Sequence, residues 1–168
     1  FSSTSASRIY YPNQDSSYFY ALFQALDSSK NEDKMVRIIH YGDSQLEMDR
    51  ISDQLRSQLQ EIFGGYGTGI LPAIQPIPTR TVTQFASGGL TRNAINDSPR
   101  VGLGHRRFGL MGSVCTLNGS AQINFKTTKT AFATTQNYNK ISVLYKNNAG
   151  TFSVKYQQKD KIVFSEKN

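Results

Sequence analysis

The spacing of apolar positions changes character near the middle of the chain. Residues 15 to 71 follow a helix, strand, helix order. Asp15 or Ser16 is placed to cap a first helix, in which Phe19, Leu22, Phe23 and Leu26 recur at i, i+3, i+4 and i+7 as one apolar stripe. Asn31 to Lys34 is a polar link. Met35 to Tyr41 is short and β-branched, the pattern of a central strand, and it ends at Gly42, Asp43 and Ser44. A second helix is expected from about Leu46 to Phe63. Met48, Ile51, Leu55, Leu59 and Ile62 share one of its faces, with Asp49, Arg50, Asp53 and Arg56 around them. Gly64, Gly65, Gly67 and Gly69 stop that helix and turn the chain, and Pro72, Pro76 and Pro78 hold an extended segment.

The second half is rich in Thr, Asn, Gly and Ser. Ala121 to Lys126 alternates with period two, as does Lys140 to Lys146. Asn147 to Gly150 is good turn chemistry, and Thr151 to Tyr156 continues a hairpin across it. Lys161 to Phe164 reads as one further strand. Alternation with turns at this spacing predicts an antiparallel sandwich or part of one. No internal repeat of fixed period is present. The predicted class is α/β, divided into an α/β part over residues 1–80 and a β-rich module over 81–168.

Composition narrows this picture. The 168 residues allow one ordinary domain or two small ones. With 38% hydrophobic and 18% charged residues, the chain has neither a disordered nor a membrane composition. No run of about 18 apolar residues predicts a transmembrane helix. No signal-peptide pattern is present, and the first residue is Phe1, so the chain reads as processed or trimmed, with Phe1 to Ser7 as a Ser-rich linker. The net charge of +7 is scattered; even Lys155, Lys159, Lys161 and Lys167 are interspersed with strand-type residues. It is read as a solvated surface, with no nucleic-acid partner.

Cys115 is the sole cysteine, so no intrachain disulfide is possible. It lies in the apolar stretch Met111 to Leu117 and is read as a small buried hydrophobe. Two histidines and one cysteine make an ordinary zinc site improbable. Gly64 to Gly69 lacks the Lys-Ser/Thr ending of a phosphate loop. No cofactor is expected.

The chemically suggestive element is the strand, then Gly42, Asp43 and Ser44, then a helix. A serine at the carboxyl edge of an open α/β sheet stands where such folds bind ligands. The following helix would aim its free N–H groups at that point, where they can stabilise an oxyanion. The plain alternative is that Asp43 or Ser44 only caps the helix. Strand alternation turns His40 away from Ser44, so His40 reads as structural. His105 lies in a glycine-rich loop, placed to meet a glycan or simply exposed.

The stretch from Val36 to Arg50, with Leu55-Arg56, Leu59-Gln60, Phe63 to Gly69 and Leu71-Pro72, resembles the SGNH/GDSL hydrolase superfamily. Within it, the pattern looks like the bacterial cell-envelope branch related to peptidoglycan O-acetylesterases. The resemblance covers roughly residues 35 to 72. It implies the N-terminal part of a flavodoxin-like fold, followed by an inserted β-rich module, carbohydrate-binding-like and incomplete. It makes Ser44 the nucleophile and its backbone N–H an oxyanion donor, with Gly42 and Asp43 shaping the turn. It implies a serine esterase acting on O-acetyl groups of a polysaccharide or peptidoglycan-like substrate, in the periplasm or secreted. An acetyltransferase would use the same serine.

The family draws its acid and base from a later D-x-x-H motif, and none of the eight aspartates here has His three residues on. Gly88, Gly89, Asn93 and Asn96 lack the family context of the later oxyanion donors and are not assigned. The acid and base, and the strands that would flank Met35 to Tyr41, are therefore expected in a C-terminal part of the hydrolase domain outside this chain. The competing reading is a non-catalytic glycan-binding protein. Phe125, Tyr138, Tyr145, Phe152 and Tyr156 are its candidate stacking residues, although sheet core is the simpler place for most of them.

Overall fold

A computed structural model describes residues 10–32, 34–97, 103, 107–146, 153–158 and 161–167. They form a mixed helix-and-strand structure. Asp15 opens it by accepting the Ser17 N–H at 2.9 Å, which caps a 3-10 turn, Ser16–Phe19. This turn leads directly into helix α1, Tyr20–Glu32. On the expected stripe Leu26 is buried, Phe19 and Leu22 are half-buried, and Phe23 remains exposed. Phe19 meets Tyr11, Tyr18 and Phe23 edge-on, with centroid separations of 6.0, 5.8 and 6.5 Å.

Helix α2 spans Ser52–Phe63 and stops at Gly64 (φ 84°), where the absence of a side chain removes the penalty for left-handed backbone. Its start differs from the expected Leu46. After Ser44 the chain makes a turn closed by Leu46 N–H to Asp43 C=O (3.0 Å) and Glu47 N–H to Ser44 C=O (3.2 Å). A 3-10 turn, Glu47–Asp49, follows, and Met48 and Asp49 both take left-handed backbone, with φ of 63° and 62°. Left-handed conformation costs a non-glycine residue about 1–3 kcal/mol and cannot continue an α-helix.

The buried side of α2 also differs from the apolar stripe. Asp53 and Ser57 are buried, whereas Ile51, Leu55 and Ile62 are exposed. The helix packs its polar side inward because partners stand there: Thr134 and Thr135 of the short helix α3, Ala133–Gln136, donate hydrogen bonds to Ser57 and Asp53, and Arg80, just before the first strand, faces Asp53.

That strand, β1 (Val82–Ala94), pairs antiparallel with β2 (Ser113–Thr127), from Val82 opposite Thr127 to Ala94 opposite Ser113. The ladder shifts between Gly88 and Leu90, where Asn118, Gly119 and Ser120 bulge opposite Gly89. The expected alternation over Ala121 to Lys126 lies inside β2. The Pro-rich segment runs against this ribbon: Gln84 donates to the Pro72 and Ala73 carbonyls at 2.9 and 3.3 Å. A second antiparallel ribbon joins β3 (Ser153–Gln158) to β4 (Lys161–Lys167). The buried apolar residues are few: Leu26, Val82, Ala94, Phe108 and Ala131 among the described residues.

Three expected features are corrected. Met35 to Tyr41 is not a paired strand; no ladder partner joins it among the described residues, and Met35, Ile38, Ile39 and Tyr41 are exposed. Strand pairing needs a neighbour to take the backbone groups, and none is present there. Lys140 to Lys146 likewise forms no ladder, and the strand that would have paired with it is paired with β4 instead. In place of a sandwich, the described residues form two ribbons of two strands each. The expected turn at Asn147 to Gly150 lies outside the described residues. No helix among the described residues is long and apolar enough to cross a membrane.

Candidate functional site

Ser44 stands on the exposed turn between the unpaired segment and α2. Asp43 shapes this turn by accepting the Gln45 N–H on its carboxylate at 2.9 Å. The Ser44 carbonyl is held by the Arg50 guanidinium, Nη2 to O at 2.7 Å, and Arg50 Nε reaches the Glu47 carbonyl at 3.3 Å. Neither the Ser44 hydroxyl nor its N–H has a hydrogen-bond partner among the described residues. Gly42 leaves room for the Leu46 side chain; a Cβ there would lie 2.5 Å from Leu46 Cδ1. Two sequence expectations are corrected at this point. Neither Asp43 nor Ser44 caps α2, whose N-cap is Ile51, without a side-chain cap bond. The α2 N-terminus also does not follow Ser44 directly, because the turn and the 3-10 segment intervene.

The histidines do not complete the site. His40 is exposed, and its Nδ1 lies 3.5 Å from the Ser52 hydroxyl, at the outer limit of a hydrogen bond. His105 lies outside the described residues. No histidine hydrogen-bonds Ser44 among the described residues.

Behind the turn lies a polar cluster that joins both halves of the chain. Arg56 grips Asp49 with both arms, Nη1 to Oδ2 at 3.0 Å and Nη2 to Oδ1 at 2.8 Å. The Thr81 hydroxyl donates to Asp49 Oδ2 at 2.8 Å, and the Arg80 N–H donates to the Met48 carbonyl at 3.0 Å. Asp53 is fully buried. Thr135 donates to its Oδ1 at 3.3 Å, while Oδ2 has no hydrogen bond and faces Arg80 Nε at 3.9 Å. The geometry favours one arrangement of α2, α3 and the foot of the ribbon. Desolvation offsets much of the Coulomb gain of such pairs, so their net contribution to stability is small.

Burial raises the Asp53 carboxyl above its ordinary value, assisted by the Asp49 charge and opposed by Arg56, Thr135 and Arg80. The folded state therefore holds this proton more tightly than the unfolded chain. Stability from this group is fully present below the ordinary carboxylate pKa of 3.8 and is lost as pH rises through the raised folded value. Thermal midpoints measured from acid to neutral pH should fall across that window. Asp53→Asn should flatten this part of the profile. An unchanged slope in the variant would show that the titrating group lies elsewhere.

Three other features complete the inventory. Phe125 packs on Tyr138 at 5.9 Å, and the Tyr138 and Tyr156 hydroxyls lie 3.3 Å apart. The Tyr156 hydrogen bond, with burial second, pushes the Tyr138 phenol up to about 12. Tyr138 remains exposed, and Phe152 lies outside the described residues. Cys115 is half-buried; burial raises its thiol, against opposing effects of the Ile74 backbone and Arg92. An open depression of about 470 Å³ is lined by Ser29, Lys30, Lys34, Phe63, Gly64 and Gly65, at the carboxyl ends of α1 and α2. No group of three metal-ligating side chains occurs among the described residues.

No family model, curated protein or solved structure matches the chain. Two site features were missed from sequence: the Asp49 anchor and an exposed aromatic, Phe85, on β1. A signal for the first was present. Asp49, Asp53, Arg56 and Gln60 recur at helical spacing as a polar stripe, but a polar stripe ordinarily faces water.

Proposed function

We propose that this chain carries the nucleophile of a GDS-type serine esterase acting on O-acetyl groups of a polysaccharide or cell-envelope glycan. The observation that carries this reading is the Ser44 turn: an exposed hydroxyl and a free N–H on the same residue, whose carbonyl is fixed by Arg50. Ser44 Oγ attacks the ester carbonyl while a base takes its proton. The tetrahedral intermediate expels the sugar oxygen, which takes up the proton held by the base and leaves as a hydroxyl, and water then releases acetate from the acyl-serine. The Ser44 N–H is one donor to the oxyanion. An acetyltransferase would pass the same acyl group to a sugar hydroxyl instead of water.

The same reading assigns residues 1–80 to the N-terminal part of a flavodoxin-like SGNH domain and 81–168 to an inserted β-rich module. Its site of action is then the periplasm or the exterior of a bacterial cell. The exposed apolar segment Met35 to Tyr41 and the outward Ile51, Leu55 and Ile62 support the assignment, because further strands would cover both. The acid and base are assigned to a D-x-x-H pair outside this chain. The deciding experiment is pre-steady-state. In protein that carries this chain together with its D-x-x-H part, p-nitrophenyl acetate should release nitrophenolate in a burst equal in amount to the protein, leaving one acetyl group on the quenched chain. Turnover there with no acetyl group ever trapped on Ser44, even at the acid quench of the earliest time points, would count against an acyl-serine.

A second reading, a non-catalytic glycan-binding protein, is favoured by one observation. Phe85 is 66% exposed on a ribbon face, directly opposite Asn124, and Gln122 and Asn124 are hydrogen-bonded to each other at 3.2 Å. An aromatic ring beside oriented amides suits a sugar face. Under this reading Phe85→Ala weakens binding of a soluble polysaccharide by about tenfold in calorimetry. Unchanged affinity would remove the ribbon from consideration.

A further inference from the structure

Between Ser44 and α2 the chain places two consecutive non-glycine residues, Met48 and Asp49, in left-handed backbone. Such a turn persists only where its surroundings hold it. The holding groups are present: both arms of Arg56 and the Thr81 hydroxyl on the Asp49 carboxylate, and the Arg80 N–H on the Met48 carbonyl. The Asp49 and Arg56 side chains are 13% and 23% exposed, so water competes weakly for this bidentate pair. On the other side of the turn, Arg50 ties the Ser44 and Glu47 carbonyls.

We infer that Asp49 and Arg56 are positioning residues for Ser44. Their pair, completed by Thr81 at the foot of the β1–β2 ribbon, holds the left-handed turn in place. Through Arg50 on the same turn, it fixes where the serine stands. The role rests on Ser44 being the nucleophile; the anchor itself rests on geometry alone. It also joins the two halves of the chain mechanically, because Thr81 immediately precedes β1. A displacement of the ribbon would reach Ser44 through two hydrogen bonds, Thr81 to Asp49 and the adjoining Arg50 to the Ser44 carbonyl.

The test combines amide hydrogen exchange with the rate at which a fluorophosphonate labels Ser44. Arg56→Gln should speed exchange at Leu46 and Glu47 by about tenfold and slow labelling by a similar factor, while Leu59 to Phe63 of α2 exchange as in the unmodified protein. Arg56→Lys should fall between, since an ammonium keeps the charge but not the two-armed geometry. Thr81→Val should act in the same direction and more weakly, and it serves in place of Arg56→Gln if that variant does not fold. Met48→Gly should restore both readouts in the Arg56→Gln background, because glycine needs no anchor at positive φ. Unchanged exchange at Leu46 and Glu47 would overturn the inference, as would equal loosening along all of α2 or no rescue by Met48→Gly. A serine that never labels in the unmodified protein, with exchange behaving as described, removes the positioning role and leaves only a turn anchor.

Discussion

In protein that carries this chain together with its D-x-x-H part, Ser44→Ala is expected to abolish acetyl-ester turnover, lowering kcat by at least about 10³-fold with KM nearly unchanged. The split follows from the geometry. The Ser44 side chain makes no hydrogen bond among the described residues, so its removal leaves the turn intact. The turn is held by Asp43, Arg50 and Asp49, none of which uses the Ser44 hydroxyl. Alanine therefore removes the proposed attacking atom and little else, and substrate contacts made elsewhere should persist. Steady-state rates on an O-acetylated polysaccharide measure the effect, with circular dichroism checking the fold. A variant that turned over as fast as the unmodified protein would remove Ser44 from the mechanism.

The second large effect concerns the ribbon. A Cβ on Gly89 would run into the Asn118 carbonyl oxygen and stand 2.8 Å from its carbon. These are backbone atoms of the paired strand, which cannot swing aside as a flexible side chain would. Gly89→Ala should therefore cost about 3 kcal/mol, the upper range for overpacking. Gly119 provides the control. It lies in the facing bulge with φ 77°, and nothing stands within 4 Å of a Cβ there. Gly119→Ala should cost only the left-handed penalty, about 1 kcal/mol. Urea unfolding of the two variants separates steric conflict from backbone preference. Equal midpoints would mean that β2 gives way at the bulge.

These glycines also show what was legible in the sequence. Helix α1 and the stop at Gly64 follow from local chemistry, apolar spacing and a glycine able to take positive φ, and both were expected. Strand β1 was not named, because Gly88 and Gly89 interrupt its alternation and weaken the strand signal. The left-handed pair Met48–Asp49 carries little local signal; Asp tolerates that backbone but Met does not favour it, and the anchor that holds the pair comes from Arg56, Arg80 and Thr81. The inward polar side of α2 depends on threonines about eighty residues further along the chain. Met35 to Tyr41 has the composition of a strand, but pairing is a property of two segments, and composition describes one. Of the candidate site, the Ser44 turn was legible from Gly42, Asp43 and Ser44 themselves. Its support by Arg50 and Asp49 was not.

The most direct test of the account is to map the site of fluorophosphonate modification. Trypsin releases Ile38 to Arg50, in which Ser44 is the sole serine, and separately Ile51 to Arg56, which carries Ser52. The label is expected on the first peptide, at Ser44. Label on the second would shift the chemistry to the serine beside His40, and no label on either in protein that carries the D-x-x-H part would contradict a nucleophilic Ser44.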